Sequence, residues 1–321
     1  MSDKLLATYL WLDGTKPTTL VRSKTRVIEY TENITIDCFP EWGFDGSSTN
    51  QATGDNSDCI LKPVSFINDP IRIDGSYLVL CEVYERSGRV HLTNTRARLR
   101  KVLEAGGGKE DAYFGYEQEY TLITETGPAG WPNGGYPAPQ GPFYCGVGAD
   151  KVYGREIVEK HMVACSEAGL HIYGINAEVM PGQWEFQIGY RGFDDKLDGL
   201  VFADHLQLAR WLLQRIAEDY NITVSFENKP MKGDWNGAGC HTNFSTKEMR
   251  SPQYGREAIQ DAIHKLNKKH PEHVKVYGAG LESRLTGLHE TCSINEFKAG
   301  VAHRGASIRV PSQVHQKGYG Y

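Results

Sequence analysis

No stretch of this 321-residue chain is apolar for long enough to cross a bilayer. Its start, Met1-Ser2-Asp3-Lys4-Leu5, lacks the basic and apolar blocks of a secretory signal. There is no C-x-x-C. The seven cysteines (38, 59, 81, 145, 165, 240 and 292) are odd in number and widely spaced. That pattern argues against a zinc ribbon or a disulfide framework, and for a reducing, cytoplasmic setting. No run of five like charges occurs, and the net charge is only −5, so no basic face marks a nucleic-acid partner. No Walker-type loop is present. Gly146-Val147-Gly148 is not completed as a dinucleotide fingerprint, because Lys151 stands at the third glycine position. Any bound nucleotide would have its phosphates held by metals and arginines, not by a glycine loop.

What the chain does have is carboxylates among apolar neighbours. Tyr116-Glu117-Gln118-Glu119-Tyr120 reads as a strand, which puts Glu117 and Glu119 on one face. Glu178 to Phe186 also looks strand-like, with Trp184, Phe186 and Ile188 on an apolar face and Glu185 and Gln187 opposite. Burying four carboxylates uncompensated is costly, and hard divalent cations with oxygen ligands relieve that cost. Taken alone, the spacing also fits a solvated strand face. Further on, Gly237-Ala238-Gly239 precedes a segment in which His241, Asn243 and Ser245 share a face if 240–245 is a strand. That face offers a nitrogen ligand, an amide and a hydroxyl. Late in the chain come Arg284, Arg304 and Arg309. Arg309 lies between Ile308 and Val310, and burying it calls for an anion, either a phosphate or carboxylate ligand or an internal acidic partner.

The first ninety residues read as strand-rich, with candidates at 6–12, 25–30 and 77–84, and a long polar loop from Glu41 to Asp58. A helix is expected over 95–103, capped by Asn94, and the domain boundary falls near residue 92. Beyond it, helices at 153–168, 204–220 and 258–269 (the last closed by Pro271) alternate with strands at 113–123, 183–189, 222–227 and 239–245. Residues 128–143 form a Gly/Pro-rich loop.

Several motifs in one order closely resemble the type II glutamine synthetases. They are Trp42-Gly43-Phe44-Asp45-Gly46-Ser47-Ser48-Thr49, Glu117-Gln118-Glu119-Tyr120, Pro139-Gln140-Gly141-Pro142, Asn176-Ala177-Glu178-Val179 and Gln183-Trp184-Glu185-Phe186-Gln187. Trp235-Asn236-Gly237-Ala238-Gly239-Cys240-His241-Thr242-Asn243, Arg284-Leu285-Thr286-Gly287, His289-Glu290-Thr291 and Arg304-Gly305-Ala306-Ser307-Ile308-Arg309 continue the series. The resemblance runs from about Ala7 to the last residue.

It implies an α+β fold: a β-grasp domain over 1–92, then a larger α/β catalytic domain over 93–321 with an antiparallel sheet. It also implies ATP-dependent amidation of glutamate by ammonia through γ-glutamyl phosphate, with two or three Mg²⁺ or Mn²⁺ ions per site. Glu119, Glu178 and Glu185 resemble ligands of the metal nearer glutamate, and Glu117 and His241 those of the metal nearer ATP. Glu185, Phe186, Gln187, Asn243, Ser245, Arg304, Arg309 and Tyr321 resemble the ATP-binding residues; Asp234, Trp235, Gly237, Arg284 and Arg304 resemble the glutamate contacts. Asp45, from a neighbouring subunit, resembles the group that takes a proton from ammonium, Glu290 the flap residue, and Arg304 a stabiliser of the phosphoryl group. Family members form homo-oligomers, usually decamers of two pentameric rings. After Tyr321 the family continues into a Glu-Asp-Arg-Arg-Pro motif that this sequence does not contain. Two expectations follow: further residues belong after Tyr321, or the chain is an impaired or silent homologue that binds nucleotide or assembles with active subunits.

Overall fold

A computed structural model describes residues 4–29, 31–72, 75–190 and 198–321. Tyr30, expected to end a strand, and Met1 to Asp3 lie outside these residues. The chain divides into two compact units. One comprises 1–109, 163–171 and 203–212, and the other 110–162, 172–202 and 213–321.

The first unit contains β1 (Lys4–Leu12), β2 (Val21–Glu29), β3 (Trp42–Asp45), β4 (Asp58–Asn68), β5 (Tyr77–Glu85) and α1 (Thr95–Glu104). Its sheet runs β2-β1-β5-β4-β3, with β1 and β5 parallel and the other pairs antiparallel. Leu5, Ala7, Tyr9 and Trp11 alternate along β1 into the main core, while Thr8 and Leu10 are buried on the other face. Burial on both faces is what a central strand with a parallel partner requires. α1 begins where expected, with the Asn94 side chain accepting from the Ala97 N–H at 3.0 Å.

Two features differ from the expectation. The polar stretch 41–58 is not all loop: β3 pairs with β4, and a 3₁₀ turn follows at Gly46–Thr49. Trp42 and Phe44 account for this, lying 5.4 Å from Tyr9 and 4.9 Å from Trp11 between ring centroids. β4 itself was not expected. Pro63 interrupts its pattern, and the strand accommodates it with a register shift between Pro63 and Ser65.

The second unit is built on β6 (Tyr113–Thr124), β7 (Gly127–Pro128), β8 (Ile172–Ala177), β9 (Gln183–Gly189), β10 (Thr223–Ser225) and β11 (Cys240–Ser245). Helices α2 (Arg155–Glu167) and α3 (Gly199–Glu218) contribute residues to both units. α4 (Gly255–Val274), the short parallel pair β12 (Ala299–Val301) and β13 (Ile308–Val310), and α5 (Ser312–Lys317) complete it. The sheet order is β10-β6-β9-β8, and β11 and β7 also pair with β6, all antiparallel. α4 does not stop before Pro271. It runs through it to Val274, since a proline close to a helix end removes one hydrogen bond that the final turn can spare. Among the described residues, no helix is long and apolar enough to cross a membrane.

Candidate active site

β6 is the spine of the site. Antiparallel register sets Glu119 opposite Glu185 and Glu117 opposite Gln187 on β9. On β11, His241 stands opposite Glu117. Period-2 alternation then faces Glu117 and Glu119 together, while Trp184, Phe186 and Ile188 go into the core.

Glu178 arrives differently from the expectation. The segment 178–186 is not one strand: β9 starts at Gln183, and Glu178 sits one residue beyond β8. Pro181 and Gly182 (φ +78°) occupy the centre of a type II turn closed by Gln183 N–H to Met180 O at 3.0 Å. That turn folds Glu178 back over Glu185. Carboxylate oxygens of Glu119, Glu178 and Glu185 lie within 4.8 Å of one another, the only such grouping of three metal-ligating side chains among the described residues.

The electrostatics follow from this crowding. Burial pushes Glu178 up to about 8, with the charges of Glu119 and Glu185 adding to the effect. Glu185 is raised by burial first, then by Glu117 and Glu119, against a 2.6 Å hydrogen bond from Gln187 Nε2. Glu117 goes the other way. His241 Nδ1 lies 3.1 Å from Glu117 Oε2, and Asn243 Nδ2 donates to Oε1 at 3.1 Å, so its carboxyl is held below the usual range. The same pairing raises His241. Arg309 also lowers Glu117, although Arg309 is exposed on β13 and not buried as its apolar neighbours suggested. Three hard carboxylates beside a carboxylate–imidazole pair form a donor set suited to small divalent cations.

Arg284 lies flat against the Gly237–Gly239 run. A Cβ at Gly237 would come within 2.7 Å of its Cγ, and one at Gly239 within 2.6 Å of Nη2. This close approach is why the run has no side chain at either position. Arg284 Nε is buried without a hydrogen-bond partner, a donor suited to an anion. Asp234 Oδ1 is 3.0 Å from His289 Nε2, and Glu290 Oε2 is 3.8 Å from Arg304 Nη1. Trp235 joins Trp131 and Tyr136 in an aromatic group, at 5.0 and 5.2 Å between centroids.

Tyr321 packs edge-on to Tyr113 and Tyr190, and its hydroxyl is buried against Gly115. Phe186 is fully buried against Tyr120 and His161, so its side chain reaches no ligand and only its backbone remains available. Ser245 is also buried, its hydroxyl accepting from Arg250 Nη1 at 3.1 Å. Asp45 belongs to the first unit. It is exposed, and hydrogen bonds from Ser47 and Ser48 keep it below the ordinary carboxyl value. Sequence reasoning assigned no role to Asn176, which donates to Glu178 Oε1 at 2.9 Å, or to Gln183, which donates to Gly237 O at 2.9 Å. Both stand within motifs that carry the glutamates, and that adjacency was the available signal.

The carboxylates gathered on and beside this sheet offer oxygen ligands of the kind that metal-dependent enzymes use. Comparison with known proteins makes this specific. Residues 5–86 match the glutamine synthetase β-grasp domain, and residues 92–271 the glutamine synthetase catalytic domain. The chain is 53% identical over 327 residues to a chloroplastic glutamine synthetase of Chlamydomonas reinhardtii, covering 99% of this chain and 84% of that one. It is 53% identical over 317 residues to a glutamine synthetase of Streptomyces viridochromogenes (98% and 89% covered), and 52% over 320 residues to one of Saccharomyces cerevisiae (99% and 83%). The chain belongs to the glutamine synthetase family, in its type II branch: a glutamate–ammonia ligase with an α+β fold that uses ATP and divalent metal in glutamine biosynthesis.

Proposed function

We propose that the carboxylate face of β6 and β9 is the catalytic centre of this glutamine synthetase, formed in a domain spanning 93–321 that follows a β-grasp domain over 1–92. The observation that carries this reading is the convergence of Glu119, Glu178 and Glu185 within 4.8 Å. These three would hold one Mg²⁺ or Mn²⁺, and Glu117 with His241 a second, nearer ATP. When bound, such ions neutralise phosphate charge and polarise the transferring group.

The chain's own residues supply the remaining functions. Arg284, with its buried unpaired Nε, binds glutamate beside Asp234, Trp235 and Gly237. Arg304 and Arg309 offset the charge that spreads over the γ-phosphoryl group as it moves to the glutamate carboxylate. Asn243 and Gln187 flank the nucleotide, with Tyr321 near the base. Phe186 and Ser245 act through backbone position. Asp45, held ionised by Ser47 and Ser48, is suited to take a proton from ammonium and is contributed by a neighbouring subunit of a cytoplasmic homo-oligomer, a decamer of two pentameric rings. Glu290 closes the site over γ-glutamyl phosphate.

The test is γ-glutamyl hydroxamate formation from glutamate, hydroxylamine, ATP and Mn²⁺. Activity is expected in the unmodified chain and should be lost in Glu185→Ala. Full activity in that variant would refute the assignment of the metal site.

A further inference from the structure

The turn Thr286–Thr291 is strained and anchored at several points. Gly287, His289 and Glu290 all have left-handed backbones, with φ of +87°, +51° and +59°. Two consecutive non-glycine residues in that region are unfavourable, and such conformations persist only where the surroundings over-determine them. At its base, Thr291 Oγ1 donates to Leu288 O at 2.7 Å and reaches Arg284 O at 3.3 Å, and the Gly287 N–H donates to the same hydroxyl. Its apex makes two contacts, and these are unequal. His289 Nε2 lies 3.0 Å from Asp234 Oδ1, the imidazole side chain 19% exposed and the carboxylate 73% exposed. Glu290 and Arg304 are 3.8 Å apart, and both side chains are more than half exposed. An exposed pair at that separation holds little. The shorter pair, with its imidazole sheltered, is therefore the stronger restraint on a turn whose relaxed state lies elsewhere.

We propose that His289 is a positioning residue: by pairing with Asp234 it holds the strained turn and keeps Glu290 at Arg304, so that water is kept from the acyl phosphate. The proposal rests on the ligase reading above and on γ-glutamyl phosphate as its intermediate. When the turn opens, water adds at the γ-carbonyl carbon and the C–O bond to phosphate breaks. Glutamate and inorganic phosphate are then released, so the sum is ATP + H₂O → ADP + phosphate with no glutamine. His289 touches no reacting atom. Its loss raises wasted turnover without removing phosphoryl transfer.

The experiment measures phosphate released per glutamine formed by the full chain with Mn²⁺, ATP, glutamate and ammonium. His289→Gly permits the left-handed backbone but lacks the imidazole. The excess of its ratio over one phosphate per glutamine is expected to rise about fivefold, the factor one net hydrogen bond contributes to an equilibrium. His289→Asn also tolerates that backbone, but its shorter amide does not reach Asp234, so it is expected to behave like the glycine variant. His289→Gln places an amide nitrogen near the imidazole Nε2 and is expected to restore coupling. A purely structural role would lower phosphate and glutamine together and leave the ratio unchanged. An unchanged ratio in both the glycine and asparagine variants, or a glutamine variant as uncoupled as glycine, overturns the proposal. Unmodified chain that releases no phosphate and makes no glutamine would instead overturn the ligase reading beneath it.

Discussion

Replacing Glu178 with glutamine removes a charge while nearly preserving shape, and it separates the two things the carboxylate cluster does. In the metal-free protein Glu178 is raised to about 8, mainly by burial and then by Glu119 and Glu185. A folded-state value above the unfolded one means that ionisation opposes folding. The cost is absent below the ordinary carboxyl value and grows as pH rises toward about 8. At about pH 7.5, a shift of that size corresponds to a ceiling of about 4 kcal/mol, at about 1.4 kcal/mol per unit. Because burial and neighbouring charge raise Glu185 as well, the gain from removing one charge is set at about 1–3 kcal/mol. The hydrogen bond from Asn176 survives, since a glutamine oxygen still accepts. Chelated Glu178→Gln should therefore melt about 2–8 °C above the chelated parent. With Mn²⁺ at about a hundred times its dissociation constant, the parent should gain about 2.7 kcal/mol, most of which the variant should lose together with activity. Differential scanning fluorimetry across about pH 6 to 8, with chelator and then with Mn²⁺, measures both. A chelated variant no more stable than the parent, with its Mn²⁺ increment intact, would show that these carboxylates neither repel one another nor hold the ion.

Other expectations can be tested separately. His241→Ala should weaken Mn²⁺-dependent nucleotide binding by about tenfold or more, measured by calorimetry. The parent's affinity should climb with pH as His241, raised by Glu117, gives up its proton, and this rise should flatten in the variant. Gly239→Ala should raise the KM for glutamate with little loss of melting temperature, because its Cβ would meet Arg284 Nη2 at 2.6 Å and displace the guanidinium. An unchanged KM would remove Arg284 from the glutamate site. In the first unit, Arg96 bridges Asp204 and Glu82 at 2.8 Å each, and both carboxylates are buried. Arg96→Ala should cost about 3–5 kcal/mol in urea unfolding by taking the guanidinium away from buried Asp204, while Glu82 keeps Arg100 at 3.3 Å.

Much of the site was legible because strand alternation is a local rule. Glu117 and Glu119 share a face on β6 as their spacing requires, and His241 and Asn243 meet them through the register of a strand foreseen at 239–245. Glu178 was legible as a candidate but not in its setting: what brings it to Glu185 is the Met180–Gln183 turn between two paired strands. Pattern reading also failed at prolines. Pro63 interrupts the strand pattern of β4 and Pro271 marks a helix end by pattern alone, yet the strand accommodates its proline with a register shift and the helix with one lost hydrogen bond. In both places tertiary packing outweighed a local breaker.

The same balance bears on why the cluster sits where it does. β6 and β9 lie in the interior of the sheet, with fully buried Tyr120, Leu122, Phe186 and Ile188 behind them. A rigid apolar backing fixes Glu119 and Glu185 on their strands, and the hydrogen bonds from Glu178 N–H to Gln183 O and from Gln183 N–H to Met180 O hold Glu178 against them, so the repulsion remains at the site. A cation that relieves that repulsion gains affinity from energy already stored in the fold. Glu117 differs because His241 and Asn243 satisfy it without a metal. It follows that the site built from Glu119, Glu178 and Glu185 should fill first and with the larger stabilisation, while the Glu117–His241 site should fill only when nucleotide phosphates add their oxygens. Titrating Mn²⁺ into the protein with and without ADP, and counting bound ions by electron paramagnetic resonance, tests this order. Equal occupancy of both sites without nucleotide would show that stored repulsion does not set the affinity.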